Sequence, residues 1–288
     1  MTAGAGALEA LLKRDRLIVI GALACVVVLS WAWVLAGAGM GMSAFEMTGM
    51  TLVPAGLGDA RPAEMAAPVA GMSGMAGMAM QPAAWSPGYA LMMFFMWWIM
   101  MVAMMLPSAA PMILLYAAVS RKRVRESPHL RTLVFALAYL LVWAGFSAVA
   151  TAAQFGLERA GLVSSLMAST SAVLGGLILL AAGLWQLTPV KQACLRHCQS
   201  PIFFIAHHWR PGTAGALLMG LGHGAYCAGC CWFLMALLFV GGVMNLIWIA
   251  GLALFVLLEK TVPPRHWLTR ATGVLLLTGG AALLTNGL

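Results

Sequence analysis

Apolar runs of roughly 18 to 25 residues recur along the chain, the length a helix needs to cross ~30 Å of hydrocarbon. Seven are readable, at about 17–36, 89–118, 131–153, 166–187, 214–240, 243–258 and 268–286. Lipid offers the backbone no hydrogen-bond partner, so such runs must be helices, which satisfy their own amides. The alternating pattern of barrel strands is absent. Only 8% of residues are charged and 62% are hydrophobic, whereas a soluble domain of this size carries about 25% charged residues. The expected fold is therefore all-α: a polytopic membrane helix bundle with about seven transmembrane helices. The second run exceeds one span, so its tail is expected to bend at Pro107 or Pro111 or to run along the surface.

The formal net charge of +8 does not point to nucleic acid, because the cations follow the spans. Lys13, Arg14 and Arg16 precede the first run. Arg121, Lys122, Arg123, Arg125 and Arg131 separate the second from the third, and Lys191, Arg196 and Arg210 the fourth from the fifth. Lys260, Arg265 and Arg270 lie between the sixth and seventh. If spans alternate in direction, these fourteen share one side and leave Arg61 and Arg159 on the other. That is the positive-inside pattern, which puts the N-terminus in the cytoplasm and the C-terminus outside. Glu259 and Lys260, in LLEK, read as an interfacial ion pair or a topology signal rather than a proton-coupling site.

Three regions follow. Residues 1–36 form an N-terminal anchor helix, preferred to a cleaved signal peptide because its apolar core of about 20 residues is long for one. Residues 37–87 form a Met- and Gly-rich periplasmic segment with no helical or strand period, expected to be flexible. Residues 88–288 form a six-helix membrane domain.

Sulfur carries the chemistry. The outer segment contains Met40, Met42, Met47, Met50, Met65, Met72, Met75, Met78 and Met80. Thioether suits Cu(I) and competes poorly for Zn²⁺, Mg²⁺ or Ca²⁺; the alternative is a low-complexity linker. In the second run seven of the fourteen residues 92–105 are methionine. Met92, Met96, Met100 and Met104 make one slanting row, with Met93, Met101 and Met105 beside it. Such a stripe is either a soft-metal path or core packing. The spacing is chemically similar to the thioether rings of eukaryotic copper transporters, which are small trimers of different fold.

The fifth run holds HGAYCAGCCW, in which His223, Cys227, Cys230 and Cys231 fall on or near one helical face. A thiolate in hydrocarbon is costly unless a cation neutralises it, and a soft metal accepts both thiolate and imidazole. One helix cannot surround an ion, so the methionine ladder is the expected second donor. At ~1.5 Å per residue, Cys231 and Met96 should sit ~12–13 Å below the outer surface, and His223 and Met105 ~26 Å. A second, inner thiol site is expected at Cys194 and Cys198, beside His197, to exchange the ion with a cytosolic carrier. His207 and His208 read as amphipathic surface residues.

MWWIMMVAMMLPSAAP, QLTPVKQACLRHCQSP and GHGAYCAGCCWFLM, with LLEK downstream, resemble the bacterial family of predicted metal-binding integral membrane proteins, the domain of unknown function 2182. The resemblance covers about residues 85–265 and implies a multi-span inner-membrane protein that handles metal, often discussed with copper. Its motif positions are Met100, Met101, Met104, Met105, Cys194, Cys198, His223, Cys227, Cys230 and Cys231.

The metal ligands expected are thus His223, Cys227, Cys230, Cys231, Met96, Met100, Met101, Met104, Met105, Cys194 and Cys198, holding copper as Cu(I). The expected role is a transporter or membrane copper chaperone in the bacterial inner membrane. Its partners would be the lipid bilayer, the ion, and a cytosolic or periplasmic carrier or cuproenzyme. The rival readings are a thiol–disulfide oxidoreductase using Cys227 and Cys230, and a structural subunit whose stripes are packing surfaces.

Overall fold

The structure is a computed structural model and describes residues 2–50, 85–123, 128–164, 167–262 and 266–286. The described residues form eleven helices: α1 (Thr2–Leu35), α2 (Ala44–Met50), α3 (Pro87–Arg123), α4 (Pro128–Arg159), α5 (Ala172–Leu187), α6 (Pro189–Gln199), α7 (Pro201–His208), α8 (Gly212–Ala236), α9 (Leu238–Gly241), α10 (Leu246–Thr261) and α11 (His266–Asn286). The all-helical expectation holds, and among the described residues β pairing is limited to one bridge, Val163 to Ser169.

Among the described residues, five helical segments are long and apolar enough to cross a membrane: Arg16–Leu35, Pro87–Lys122, Pro128–Arg159, Gly212–Gly241 and Trp267–Asn286. A sixth arises only if α5 and α6, bent by 66°, count as one broken span. The fourth expected run starts six residues late because residues 167–169 form a hook. Ser169 N–H donates to the Phe239 carbonyl (2.8 Å) and Val243 N–H to that of Met167 (3.2 Å). Pro189 at the first position of α6, with Thr188 capping its N-terminus, then turns the chain. The sixth run, α10, has 16 residues, or ~24 Å of helix, short of a full hydrocarbon core. By contrast, α3 stays helical through Pro107 and Pro111.

The outer segment is more ordered at its start than its composition implies. Ser43 and Glu46 form a reciprocal capping box: the Ser43 backbone N–H donates to Glu46 Oε2 at 2.7 Å, and the Glu46 N–H to Ser43 Oγ at 3.3 Å. Together they start α2, so residues 44–50 are helical within the segment in which no helical period was read. Met47 is buried in the core, and Thr48 Oγ1 accepts the Leu246 N–H at 2.8 Å. With Asn245 capping the next amides, α2 helps begin α10. Met65, Met72, Met75, Met78 and Met80 lie outside the described residues, as does the side chain of Met50.

Packing places α3 centrally, against α1, α4 and α10, while α4 and α8 form one tight pair and α5 and α11 another. Gly220 makes the α4–α8 contact possible: a Cβ there would overlap the Phe135 carbonyl oxygen. α6 lies against α8, which brings the two cysteine motifs together.

Candidate metal centre

His223, Cys227, Cys230 and Cys231 are all buried on α8, at 0–3% exposure. The i, i+4 and i, i+3 steps do align them, as the spacing predicts. The bent α5–α6 unit then adds Cys198, also buried, whose thiol lies against those of both Cys227 and Cys230. Gly229 permits this approach, since a Cβ there would stand 3.1 Å from the Cys194 sulfur. The expected separate inner site is corrected. Cys194 and Cys198 are one turn apart on α6 and join the α8 cysteines in a single cluster, because the 66° bend folds α6 back onto α8.

Three further groups complete the surroundings. Tyr139 Oη lies 3.2 Å from Cys227 Sγ and donates to the Met105 carbonyl at 3.2 Å. Lys260 Nζ stands 2.9 Å from Cys227 Sγ and 3.2 Å from Ser108 Oγ. Cys231 Sγ lies 3.9 Å from Met105 Sδ. His223 sits between aromatic rings, with centroids 5.5 Å from Phe204 and 5.8 Å from Tyr139, and its buried Nδ1 has no hydrogen-bond partner. An orphaned ring nitrogen one turn from a thiol is a donor without a task in the bare protein.

The methionine ladder faces inward. Met93, Met96, Met100, Met101, Met104 and Met105 are each no more than 1% exposed. Met105 is the rung with sulfur contact to the cluster; Met96, Met100, Met101 and Met104 extend away from it through the core. The expected depth match of Met96 with Cys231 is therefore displaced by nine residues, ~13 Å of helix. The cause is that α8 ends inside the protein: Leu237 to Asn245 all remain buried, so Cys231 lies deeper than its distance from the run's end implies.

Glu259 and Lys260 do not pair with each other at an interface. Glu259 pairs with Lys191, whose Nζ donates at 2.8 and 2.9 Å, and it accepts from Thr269 Oγ1 at 2.9 Å. Lys191 also donates to Gln186 Oε1. Lys191 is 0% exposed and Lys260 6%, so neither is a surface topology signal. Adjacent residues on a helix point about 100° apart, which sends Glu259 toward α6 and Lys260 toward the thiols. Tyr139 lies in none of the stretches singled out in the sequence; Ser108 and Lys260 lie in LPSAAP and LLEK but were not read as site residues, and a cation near the end of an apolar helix was the signal that pointed to Lys260. His207 is exposed as expected, and His208 stacks on Phe204, centroids 4.8 Å apart.

Among the described residues, no group of three or more His, Cys, Asp or Glu side chains is arranged to hold a metal ion. Cys230 and Cys231 both donate to the Cys227 carbonyl, at 3.1 and 2.9 Å. Cys198, from α6, meets the α8 thiols of both Cys227 and Cys230.

A family model described as PpoB2, copper chaperone, matches residues 94–283. The chain belongs to the PpoB2 copper chaperone family. The matched stretch contains every cysteine of the cluster, His223, Lys260 and the ladder from Met96 onward. No curated protein and no solved structure matches the chain. Copper handling is thus the property of the family to which this thiol cluster belongs, in agreement with the metal implied by the motif resemblance.

Proposed function

We propose that this PpoB2 family member is a multi-span protein of the bacterial inner membrane that binds Cu(I) as cargo and hands it to a carrier or cuproenzyme. The observation that carries the reading is the buried meeting of Cys198 on α6 with Cys227 and Cys230 on α8, beside Met105 of the ladder. Cu(I) is soft and tolerates two-coordinate, linear sulfur ligation, so a facing thiol pair suffices where a tetrahedral ion needs four ligands. Cys198 and Cys227 are the first pair. Cys230, Cys231, His223 and Met105 are replacement donors reached by side-chain rotation, which suits an ion that must leave again. Met96, Met100, Met101 and Met104 would lead it through the core, and Cys194, half-exposed, marks the side from which a carrier reaches the cluster.

The test uses the full chain purified in detergent under reducing conditions with Cu(I). The expected result is Cu(I) with sulfur scattering by X-ray absorption, lost when Cys227, Cys230 and Cys231 are replaced by Ser together. Retention of Zn²⁺ in preference to Cu(I) would overturn the choice of metal, and no metal at all would favour a structural role. Thiol–disulfide exchange is less well supported, because Cys227 and Cys230 lie buried within α8, away from a helix N-terminus where a thiolate is stabilised. Alkylation trapping of a mixed disulfide with a partner protein would reverse that preference.

A further inference from the structure

Lys260 is a buried cation whose charge the rest of the fold does not match. The nearby carboxylate, Glu259, is held by Lys191 at 2.8 and 2.9 Å and by Thr269. That pair is internally neutral and adds no net charge. Among the described residues the hydrogen-bond partners of the Lys260 ammonium are Cys227 Sγ and Ser108 Oγ. The ionisable group in contact with it is the Cys227 thiol, at 2.9 Å, with Cys198, Cys230 and Cys231 clustered about that thiol. A lone ammonium in a low-dielectric interior is costly unless a counter-charge accompanies it. Among the described residues, Lys260 is thus a buried positive charge whose contacts able to carry negative charge are in the thiol cluster.

We propose that Lys260 is the residue that selects the charge of the bound ion, so that the centre accepts a monovalent metal on two thiolates and disfavours a divalent one. This rests on the Cu(I) reading above and deepens it. A monocation held by two thiolates carries a net charge of −1, and Lys260 brings the assembly to neutrality. A dication on the same two thiolates is already neutral, and the ammonium then leaves an unbalanced positive charge in the interior. At an effective dielectric of about 20 and a separation of about 5 Å, the extra unit of metal charge is worth more than a hundredfold in affinity. Rearrangement of the flexible lysine stem lowers this, to a discrimination of at least tenfold. Lys260 does not ligate the ion; it acts through Cys227, and its effect is on selectivity.

The experiment is competitive binding of Cu(I), held reduced, and of Zn²⁺ to the full chain in nanodiscs, for the wild type, Lys260→Gln and Lys260→Arg. Gln keeps a donor toward Cys227 without the charge and introduces no sulfur. We expect Lys260→Gln to raise the Zn²⁺ affinity relative to Cu(I) by tenfold or more, and Lys260→Arg to stay within threefold of the wild-type ratio. An unchanged ratio in Lys260→Gln, or an equal shift in both variants, overturns the role of charge. A second measurement on the wild type needs no variant to fold: X-ray absorption of the Cu(I) form should give two sulfurs at thiolate distance, with any further sulfur at a longer thioether distance, whereas three or four at thiolate distance overturn the charge matching. Failure of the wild type to bind Cu(I) would instead refute the underlying reading, so the two failures are distinguishable.

Discussion

Cys198 shows how much a single residue's role depends on the company the fold gives it. In sequence it is one end of a C-x-x-x-C pair at the inner end of a span, 29 residues before Cys227. In space its thiol meets Cys227 and Cys230. Cys198→Ser is accordingly expected to weaken Cu(I) binding at least tenfold, about as much as Cys227→Ser, while Cys194→Ser leaves equilibrium affinity within threefold; competition with a chromophoric Cu(I) chelator measures both. The buried pair Lys191–Glu259, with side chains 0% and 2% exposed, makes a different prediction. Lys191→Met strands a carboxylate in the interior and should cost about 3–5 kcal/mol. Lys191→Met combined with Glu259→Leu should recover most of it, as read from thermal unfolding in detergent.

Among the elements, α2 is the one most exposed to solution conditions. The Ser43 backbone N–H and hydroxyl both hold the Glu46 carboxylate, keeping its pKa below the ordinary value of 4.5. A carboxyl lowered in the folded state stabilises above its unfolded pKa and loses that contribution as pH falls through the folded one. Amide hydrogen exchange of residues 44–50 should therefore show constant protection from neutral pH down to about 5, after correction for intrinsic rates, and loss of it in more acidic solution. Glu46→Gln should abolish most of that pH dependence. The α4–α8 contact depends on Gly220, where a Cβ meets backbone rather than a yielding side chain. Gly220→Ala should cost about 1–3 kcal/mol, and because α8 carries the cysteines, Cu(I) affinity should fall with it.

For the whole molecule the proposed orientation is the testable quantity. With the N-terminus cytoplasmic, Ala160 at the end of α4 faces outward and Leu130 at its start faces inward. A cysteine at Ala160 should react with a membrane-impermeant maleimide in intact spheroplasts, and a cysteine at Leu130 only after lysis, each compared with the parent chain. The reverse labelling would invert the route of the ion. The side proposed as inner keeps Arg121, Lys122, Arg131, Arg196, Arg210 and Arg270 even when Lys191 and Lys260 are set aside.

Composition and periodicity were enough for an all-helical architecture, the alignment of His223, Cys227, Cys230 and Cys231, and the grouping of Met92 to Met105 on one broad helix face, of which Met92 is half-buried and the other six are buried. Those properties are local: they follow from 3.6 residues per turn and from the solvation of apolar side chains. The hook at 167–169 and the tie from α2 to the start of α10 were not legible, because each depends on hydrogen bonds between residues distant in sequence, to Phe239 and to Thr48. The same limit hid the union of the two cysteine motifs, and the divergence of Glu259 toward Lys191 and Lys260 toward Cys227. Spacing along a helix decides which side chains share a face; only the packing of that face against other helices decides what they meet.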